Sequence, residues 1–450
     1  MIDAVVVGAG AAGLAAALEL RSSGLEVRVL EAGERPGGVA RTESVQGFLV
    51  ERGPNSLQVK APALAFLRAH QLEAALVPAS PSSRLRMLWH AGRLEPVPMG
   101  PGAFVRTPLL TARGKLRLLA EPFVRGRDGS LESVAQFVGR RLGGEAVERL
   151  VAPFLTGVYA GDESQLGAAP VFGRLVELER DHGSIVRGFV KQALRGRKGA
   201  TERGLSGSWS ATGGLGGLAA LMSSRLGEAV DVRTRVVALV REANGWRVEV
   251  DRAGAEPLRA ARVVLALPAP EAAALLRPLD SEAADLLAGI AYAPIVSLSV
   301  GIAEGEASHK IEGFGFLVPR AAGLGILGCL FMSQVFPGRA PEGFDLLTCF
   351  LGGVRWPGAA DLPDAALLSR LHADLALTLG LRGEPRLLAV TRWPRAVAQP
   401  ARDHLVRIAK LRQRLAPQRG LALAGSYLDG VSLADTLACG ARTARELLAR

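Results

Sequence analysis

The chain opens on a short β-branched run, Val5-Val6-Val7. It continues into Gly8-Ala9-Gly10-Ala11-Ala12-Gly13 and an apolar helical run from Leu14 to Leu20. A second apolar run, Leu25 to Leu30, ends on Glu31. The pattern predicts strand, glycine turn, helix, strand, acid. Residues 47–51 predict a further strand, closed by the turn Gly53-Pro54-Asn55-Ser56, and residues 61–76 a helix. The loop at 78–81 marks a crossing into a different unit. Residues 86–89 and 93–97 predict a hairpin about Ala91-Gly92. Residues 98–108 read as loop, and helices are expected over 109–123, 130–142, 145–154, 171–180 and 187–195. A polar, glycine-containing stretch, 196–208, reads as a mobile return linker.

Strand patterns resume at 236–240 and 246–250, and at the buried run 262–267 before Pro268. That last run is expected to rejoin the first sheet. Residues 271–287 read as helix. Alternation over 292–302, with strand runs at 313–319, 325–331 and 345–352, predicts a second, mostly antiparallel sheet with no nucleotide turn. Helices are expected at 365–379 and 404–415, with a strand at 387–391 between them. The chain closes on a strand at 421–425 and a helix opened by 429–435 and ending near Leu448. The fold class is α/β in three parts. Residues 1–80, 205–270 and 390–450 form a discontinuous Rossmann-like unit. Residues 81–97 and 271–389 form a substrate-binding sheet domain, and 98–204 an inserted helical domain. A chain of 450 residues has room for two or three such units.

The glycine turn carries the first chemistry. Gly8 permits the tight turn, Gly10 lets backbone approach a pyrophosphate, and Gly13 lets helix and strand pack closely. The helix N-terminus offers unpaired N–H groups to phosphate. Glu31, at the end of the second strand, is placed to accept from ribose hydroxyls and disfavours a 2′-phosphate. A second turn, Arg35-Pro36-Gly37-Gly38, follows directly. The C-terminal strand–Gly425–helix passage repeats this logic: another helix N-terminus to stabilise negative charge, with Gly430 allowing close backbone approach.

Composition narrows the classes. The three cysteines, Cys329, Cys349 and Cys439, are far apart in sequence and apolar in context, and the six histidines are scattered, so no metal site is expected. No signal peptide and no membrane span is read. The net charge of +11 is concentrated: residues 84–127 and 187–203 carry surpluses of +7 and +5. An anionic membrane surface or a polycarboxylate substrate suits that excess, as does plain arginine-rich composition. Aromatic interleaving and recognition motifs for nucleic acid are absent. Residues 109–123 alternate apolar and basic positions, as a surface-lying helix would.

Taken with its Gly37-Gly38 pair, the N-terminal turn resembles the FAD-binding half of the amine oxidase and phytoene desaturase superfamily. The whole chain resembles the oxygen-dependent, FAD-containing protoporphyrinogen oxidases. The more specific motifs are Gly53-Pro54-Asn55-Ser56, Gly157-Val158-Tyr159-Ala160-Gly161-Asp162, the glycines of 213–217, residues 289–294 and residues 425–435. The resemblance implies non-covalent FAD, since Cys439 lies inside the terminal helix. It places cofactor contacts at Gly8, Gly10, Gly13, Glu31, Ala32, Arg35, Gly37, Gly38, Gly53, Pro54, Asn55, Ser56, Val236, Trp393, Gly425, Val431, Ser432 and Leu433. It implies that Arg86, six residues before the hairpin glycine Gly92, pairs with a substrate propionate, with Arg84 and Arg93 as competitors. It makes Gly315, Phe316, Leu317, Gly328 and Phe331 candidates for the apolar slot, of which Gly315, Leu317 and Phe331 are retained. The chain departs from the family at Pro400 and Asp403, where tyrosine and glycine are common, and at Ser432.

The implied reaction removes six electrons and six hydrogens from protoporphyrinogen IX in three two-electron steps. Hydride leaves a bridge carbon for flavin N5, and O₂ is reduced to hydrogen peroxide. No side-chain base is nominated. Coproporphyrinogen III oxidation is the same chemistry on four propionates. An FAD amine oxidase or carotenoid desaturase is a third reading; the low aromatic content (5%) offers little for an amine cage beyond Tyr427. A non-catalytic flavoprotein is a fourth. The expected location is cytoplasmic, with peripheral attachment to the inner membrane under the surface-helix reading. Monomer and homodimer stay open.

Overall fold

The computed structural model describes residues 1–127, 131–194, 204–252, 254 and 256–449. Ile2–Val7 lies at the middle of a seven-stranded sheet, parallel on one side to Val27–Leu30 and on the other to Leu258–Leu265. Val6 pairs with Val29 and Val264, three β-branched residues in register. The run before Pro268 therefore rejoins the first sheet, as its apolar character predicts for a strand covered on both faces. Leu421–Leu423 also pairs parallel with Leu258–Leu265. Far ends of the sequence thus build one sheet. The helices Ala11–Ser22 and Leu433–Leu448 pack directly on each other: a Cβ on Gly440 would overlap the carbonyl of Ala12.

The second sheet is mixed. Its order runs Arg386–Ala398, Tyr292–Ala303, Phe344–Gly352, Ile326–Phe331, Gly315–Leu317, Arg86–His90, Arg93–Pro96. The Arg86 hairpin forms as read, turning on Ala91 (φ 49°) and Gly92 (φ 82°), and joins the sheet parallel to Gly315–Leu317. The strand expected at 387–391 is far longer, Arg386–Ala398. The helices Ala269–Leu276 and Ser281–Ala288 pack into the core of the first sheet, so the passage to the second falls between Ala288 and Tyr292.

Side-chain alternation gives the second sheet two distinct faces. Met87, Phe316, Cys329, Phe331, Leu298 and Cys349 face the helix Asp364–Leu379 and form one core. Cys329 and Cys349 are distant in sequence, yet they sit directly opposite each other as buried free thiols, sulfurs 3.4 Å apart. The other face meets the nucleotide-binding unit: Phe48 of the hairpin 42–51 packs over Gly301 and joins Leu346 and Leu388 in a second cluster.

The insert is helical but not as expected. Residues expected as loop at 98–108 contain the helix Pro101–Arg106. The long helix expected over 109–123 is Ala112–Leu119, capped by Thr111, followed by a single tight turn at Glu121–Phe123. Pro122 explains the break, since it removes an N–H from any continuing helix. A buried ion network ties the insert together: Arg141 reaches Glu121 and Glu179, all fully buried, and Glu121 also accepts from Ser184 and from the N–H groups of Ile185 and Val186. The linker residues 196–203 lie outside the described residues. Among the described residues no helix is long and apolar enough to cross a membrane.

Candidate active site

The nucleotide turn is built by close backbone contacts. Gly8 has φ +99°, and a Cβ there would lie 2.6 Å from the carbonyl oxygen of Ala266. A Cβ on Gly13 would overlap the carbonyl of Gly8. Around Gly10, by contrast, no protein atom lies within 4 Å of where a Cβ would be. The second glycine turn closes on the first: Gly37 N–H donates to Ala9 O at 2.8 Å, and a Cβ on Gly38 would stand 3.2 Å from Gly10 Cα. Glu31 accepts from Ala9 N–H and Gly33 N–H, each at 2.7 Å, which fixes its carboxylate at the strand end with a lone pair to spare on each oxygen. Val236 opens the edge strand Val236–Glu242 on the far side of the sheet, just after Thr234, whose N–H donates to Glu31 O at 2.8 Å. Ala32 and Arg35 follow Glu31 on the exposed side.

Three arginines gather behind this turn. Burial and the neighbouring Arg41 and Arg52 guanidinium groups lower the pKa of Arg35, with Glu43 opposing them. A cationic cluster with one acid suits a pyrophosphate. Gly53 runs against the backbone of Val39, and Asn55 donates to Gly53 O at 3.1 Å while its Oδ1 is buried without a partner. Trp393 Nε1 donates to Arg52 O at 2.8 Å and so ties the second sheet to this wall. The glycines of 213–217 are explained by the same wall: a Cβ on Gly214 would overlap Thr42, and one on Gly216 would lie 2.5 Å from Thr42 N.

At the C-terminal end, Gly425 is extended and Gly430 has φ +150°. Ser432 caps the terminal helix, accepting from Asp435 N–H at 3.1 Å and donating to Asp435 Oδ2 at 2.6 Å. Asp435 also pairs with Lys60 at 2.7 Å, so it is a local cap. Val431 and Leu433 flank Ser432. Tyr427 is buried in the first core, so it offers no exposed ring for an amine cage. His404 reaches Tyr427 O at 2.8 Å, and burial lowers the His404 pKa. Its folded value lies below the ordinary value near 6.5, so this contribution to stability is fully present above about pH 6.5 and is lost as pH falls toward the folded pKa. We expect thermal scans below about pH 6.5 to show falling stability of the 425–431 loop and earlier flavin loss. A His404→Gln variant should show a flatter profile.

The free face of the second sheet carries Arg86, Gly315, Leu317, Gly328, Leu330, Phe350 and Ser297 in adjoining rows. Gly315 and Leu317 lie on this face. Phe331 and Phe316 are not: each is 0–1% exposed in the core on the opposite face, their rings 6.0 Å apart. A strand turns every second residue to the other side, and Leu330, not Phe331, shares the face of Gly328. Phe350 and Leu330 were missed; register with Leu317 is the only signal that finds them. Arg86 keeps an exposed side chain but lies in a recess over the Phe314 ring, 4.7 Å from its centroid, and desolvation lowers its pKa. Arg93 pairs with Glu95.

The insert closes this face through the motif 157–162. A Cβ on Gly157 would lie 2.5 Å from Leu317. Gln399 donates to Tyr159 O at 2.7 Å, Val354 N–H donates to Ala160 O at 2.9 Å, and Ala160 sits at φ +49°. Burial pushes the Tyr159 phenol up to about 12, with Asp435 adding to it. Gln399 and His404 therefore both anchor backbone, which accounts for their presence beside the altered Pro400 and Asp403.

A dinucleotide cradle split between both ends of the chain, facing the second sheet with Arg86 on it and closed by a helical insert, is the architecture of a flavin-dependent oxidase. The chain belongs to the flavin-containing amine oxidoreductase family, whose model matches residues 11–448, and it is closely related to the protoporphyrinogen oxidases. The chloroplastic protoporphyrinogen oxidase of Oryza sativa subsp. japonica is 35% identical over 96% of this chain and 85% of its own length. The coproporphyrinogen III oxidase of Bacillus subtilis (strain 168) is 29% identical over 96% of this chain and 95% of its own. A crystal structure from Exiguobacterium sp. 255-15, provisionally assigned as a protoporphyrinogen oxidase, superposes with a TM-score of 0.83 at 25% identity, covering 100% of this chain and 99% of that one. FAD is the cofactor, and the enzyme is an oxygen-dependent oxidase. The glycine cradle, the cation cluster and the unpartnered Asn55 Oδ1 fit that cofactor.

Proposed function

We propose that the protein oxidises protoporphyrinogen IX to protoporphyrin IX with O₂ in three two-electron steps, releasing three hydrogen peroxide. The observation that supports this most is the apolar row Leu317, Leu330 and Phe350 with Arg86 at its edge, on the sheet face turned to the nucleotide unit. Bound FAD supplies a two-electron acceptor that O₂ reoxidises. Arg86 takes a propionate bidentately, its guanidinium fork matched to a carboxylate and backed by the Phe314 ring. The Leu317 row holds the macrocycle flat and keeps water from it. The N-terminus of the Leu433–Leu448 helix supports negative charge at the end of the cradle.

Anaerobic mixing with protoporphyrinogen IX is expected to bleach the flavin, and air to restore it with porphyrin fluorescence. Arg86→Ala should lower kcat/KM about tenfold or more at unchanged flavin content. Flavin that stays oxidised, or wild-type kinetics in the variant, would remove the respective claim. Coproporphyrinogen III is the second reading, favoured by the +11 charge and by relatives acting on it; the same mixing experiment ranks the two substrates.

We also propose that the insert rests on an anionic membrane surface. Phe123 is 84% exposed, and Leu116, Leu119 and Phe189 are exposed too, among Arg113, Lys115, Arg187 and Lys191. Flotation with anionic vesicles should occur at low salt and weaken at high salt; absence of low-salt binding would end the proposal.

A further inference from the structure

A second arginine stands beside the slot. Arg355 follows the strand Phe344–Gly352 and is half-buried. Its hydrogen bonds go to neutral acceptors, Val318 O at 3.0 Å and Thr156 Oγ1 at 2.6 Å, and it forms no ion pair among the described residues. Two of its five donors are thereby used. The nearest acids are Asp162, already held by Ser164 N–H and Arg320, and Glu163. Burial lowers the guanidinium pKa to about 10, with Arg320 adding to the shift and Glu163 and Asp162 opposing it.

The placement is as informative as the environment. Arg86 pairs with Gly315 at one end of Gly315–Leu317, and Arg355 bonds to Val318 just past the other. Three residues of strand set these points about 10 Å apart. Leu317 lies between them on the slot face, under Gly157 of the insert. Apolar strand residues with an arginine at each end, one exposed and one half-buried, suit a flat ligand carrying carboxylates on opposite edges.

We infer that Arg355 receives a second carboxylate of the porphyrinogen, on the edge of the slot opposite Arg86. This rests on the porphyrinogen-oxidase reading above. Protoporphyrinogen IX carries its two propionates on neighbouring rings, hence on one edge. Coproporphyrinogen III carries one on every ring and can engage both arginines at once. Arg355 is then the residue that sets tolerance for the four-carboxylate substrate.

The test compares wild-type, Arg355→Met and Arg355→Lys holoenzymes on both porphyrinogens. The ratio of kcat/KM for coproporphyrinogen III over protoporphyrinogen IX should fall about tenfold or more in the Met variant and by less in the Lys variant. Where coproporphyrinogen III inhibits without turning over, its inhibition constant takes the place of that ratio. Arg355 also clasps the insert to the sheet, and loss of a clasp alone would depress both substrates together; an unchanged ratio therefore overturns the inference. So does a wild-type enzyme that oxidises protoporphyrinogen IX yet neither oxidises nor is inhibited by coproporphyrinogen III. A wild-type protein that oxidises neither overturns the underlying reading as well.

Discussion

Gly13→Ala is expected to yield a protein that retains almost no FAD. The added methyl would overlap the carbonyl of Gly8 and crowd Ala266 Cβ at 3.1 Å. Both neighbours belong to the centre of the first sheet and its turn, where Gly8 itself is pressed on Ala266. Neither can move without shifting Ile2–Val7 against Leu258–Leu265, so the helix Ala11–Ser22 must lift. That takes its N-terminus away from the phosphates and separates it from the terminal helix at Gly440. Flavin absorbance per polypeptide reads the first effect and a lowered melting temperature the second. Gly10→Ala provides the contrast. A methyl there meets no protein atom within 4 Å, so the flavin-free protein should melt as the flavin-free wild type does while FAD binding weakens. Equal FAD content in Gly10→Ala and wild type would show that the cofactor does not pass close to Gly10.

Arg141→Met is expected to be the most damaging single change in the insert. Arg141 is fully buried, bonded to Glu121, to Glu179 at 3.2 Å and to Val124 O at 3.0 Å. Removing it strands Glu121 without its cation in a dry interior. Breaking a buried pair in this way costs about 3–5 kcal/mol. Glu121 also organises Ser184 and the start of Ile185–Leu194, so that helix should detach with it. Limited proteolysis within residues 98–194 should accelerate while the nucleotide-binding unit stays protected. A Glu121→Gln/Arg141→Met double variant should recover part of the loss, because it leaves no bare charge behind. Unchanged proteolysis of the single variant would mean that water reaches Glu121 readily.

The local parts of this architecture were legible in the sequence because their causes are local. Gly8, Gly10, Gly13 and Glu31 are a spacing problem, and the Arg86 hairpin is a turn problem about Ala91-Gly92. What failed depends on partners elsewhere. Phe331 is a slot candidate by resemblance, but facing is decided by pairing with Phe350 and Thr348 through Gly328 and Leu330, and a displacement by one residue reverses it. Cys329 and Cys349 looked unrelated for the same reason. Glu121 and Arg141 carry no signal in the sequence; only their convergence with Glu179 and Ser184 removes them from water. Arg355 had no motif at all, since its significance lies in what is missing around it.

The pairing of the first helix with the last has a consequence for how the enzyme is made. The nucleotide turn leaves the ribosome early, yet Leu421–Leu423 and Leu433–Leu448, which complete its sheet and cover Ala12, are about 400 residues away. At about 5–20 residues per second, that is roughly 20–80 s of synthesis during which the turn exists without its lid. The first sheet and the cover over Ala12 are therefore complete only once the last strand and helix have been made.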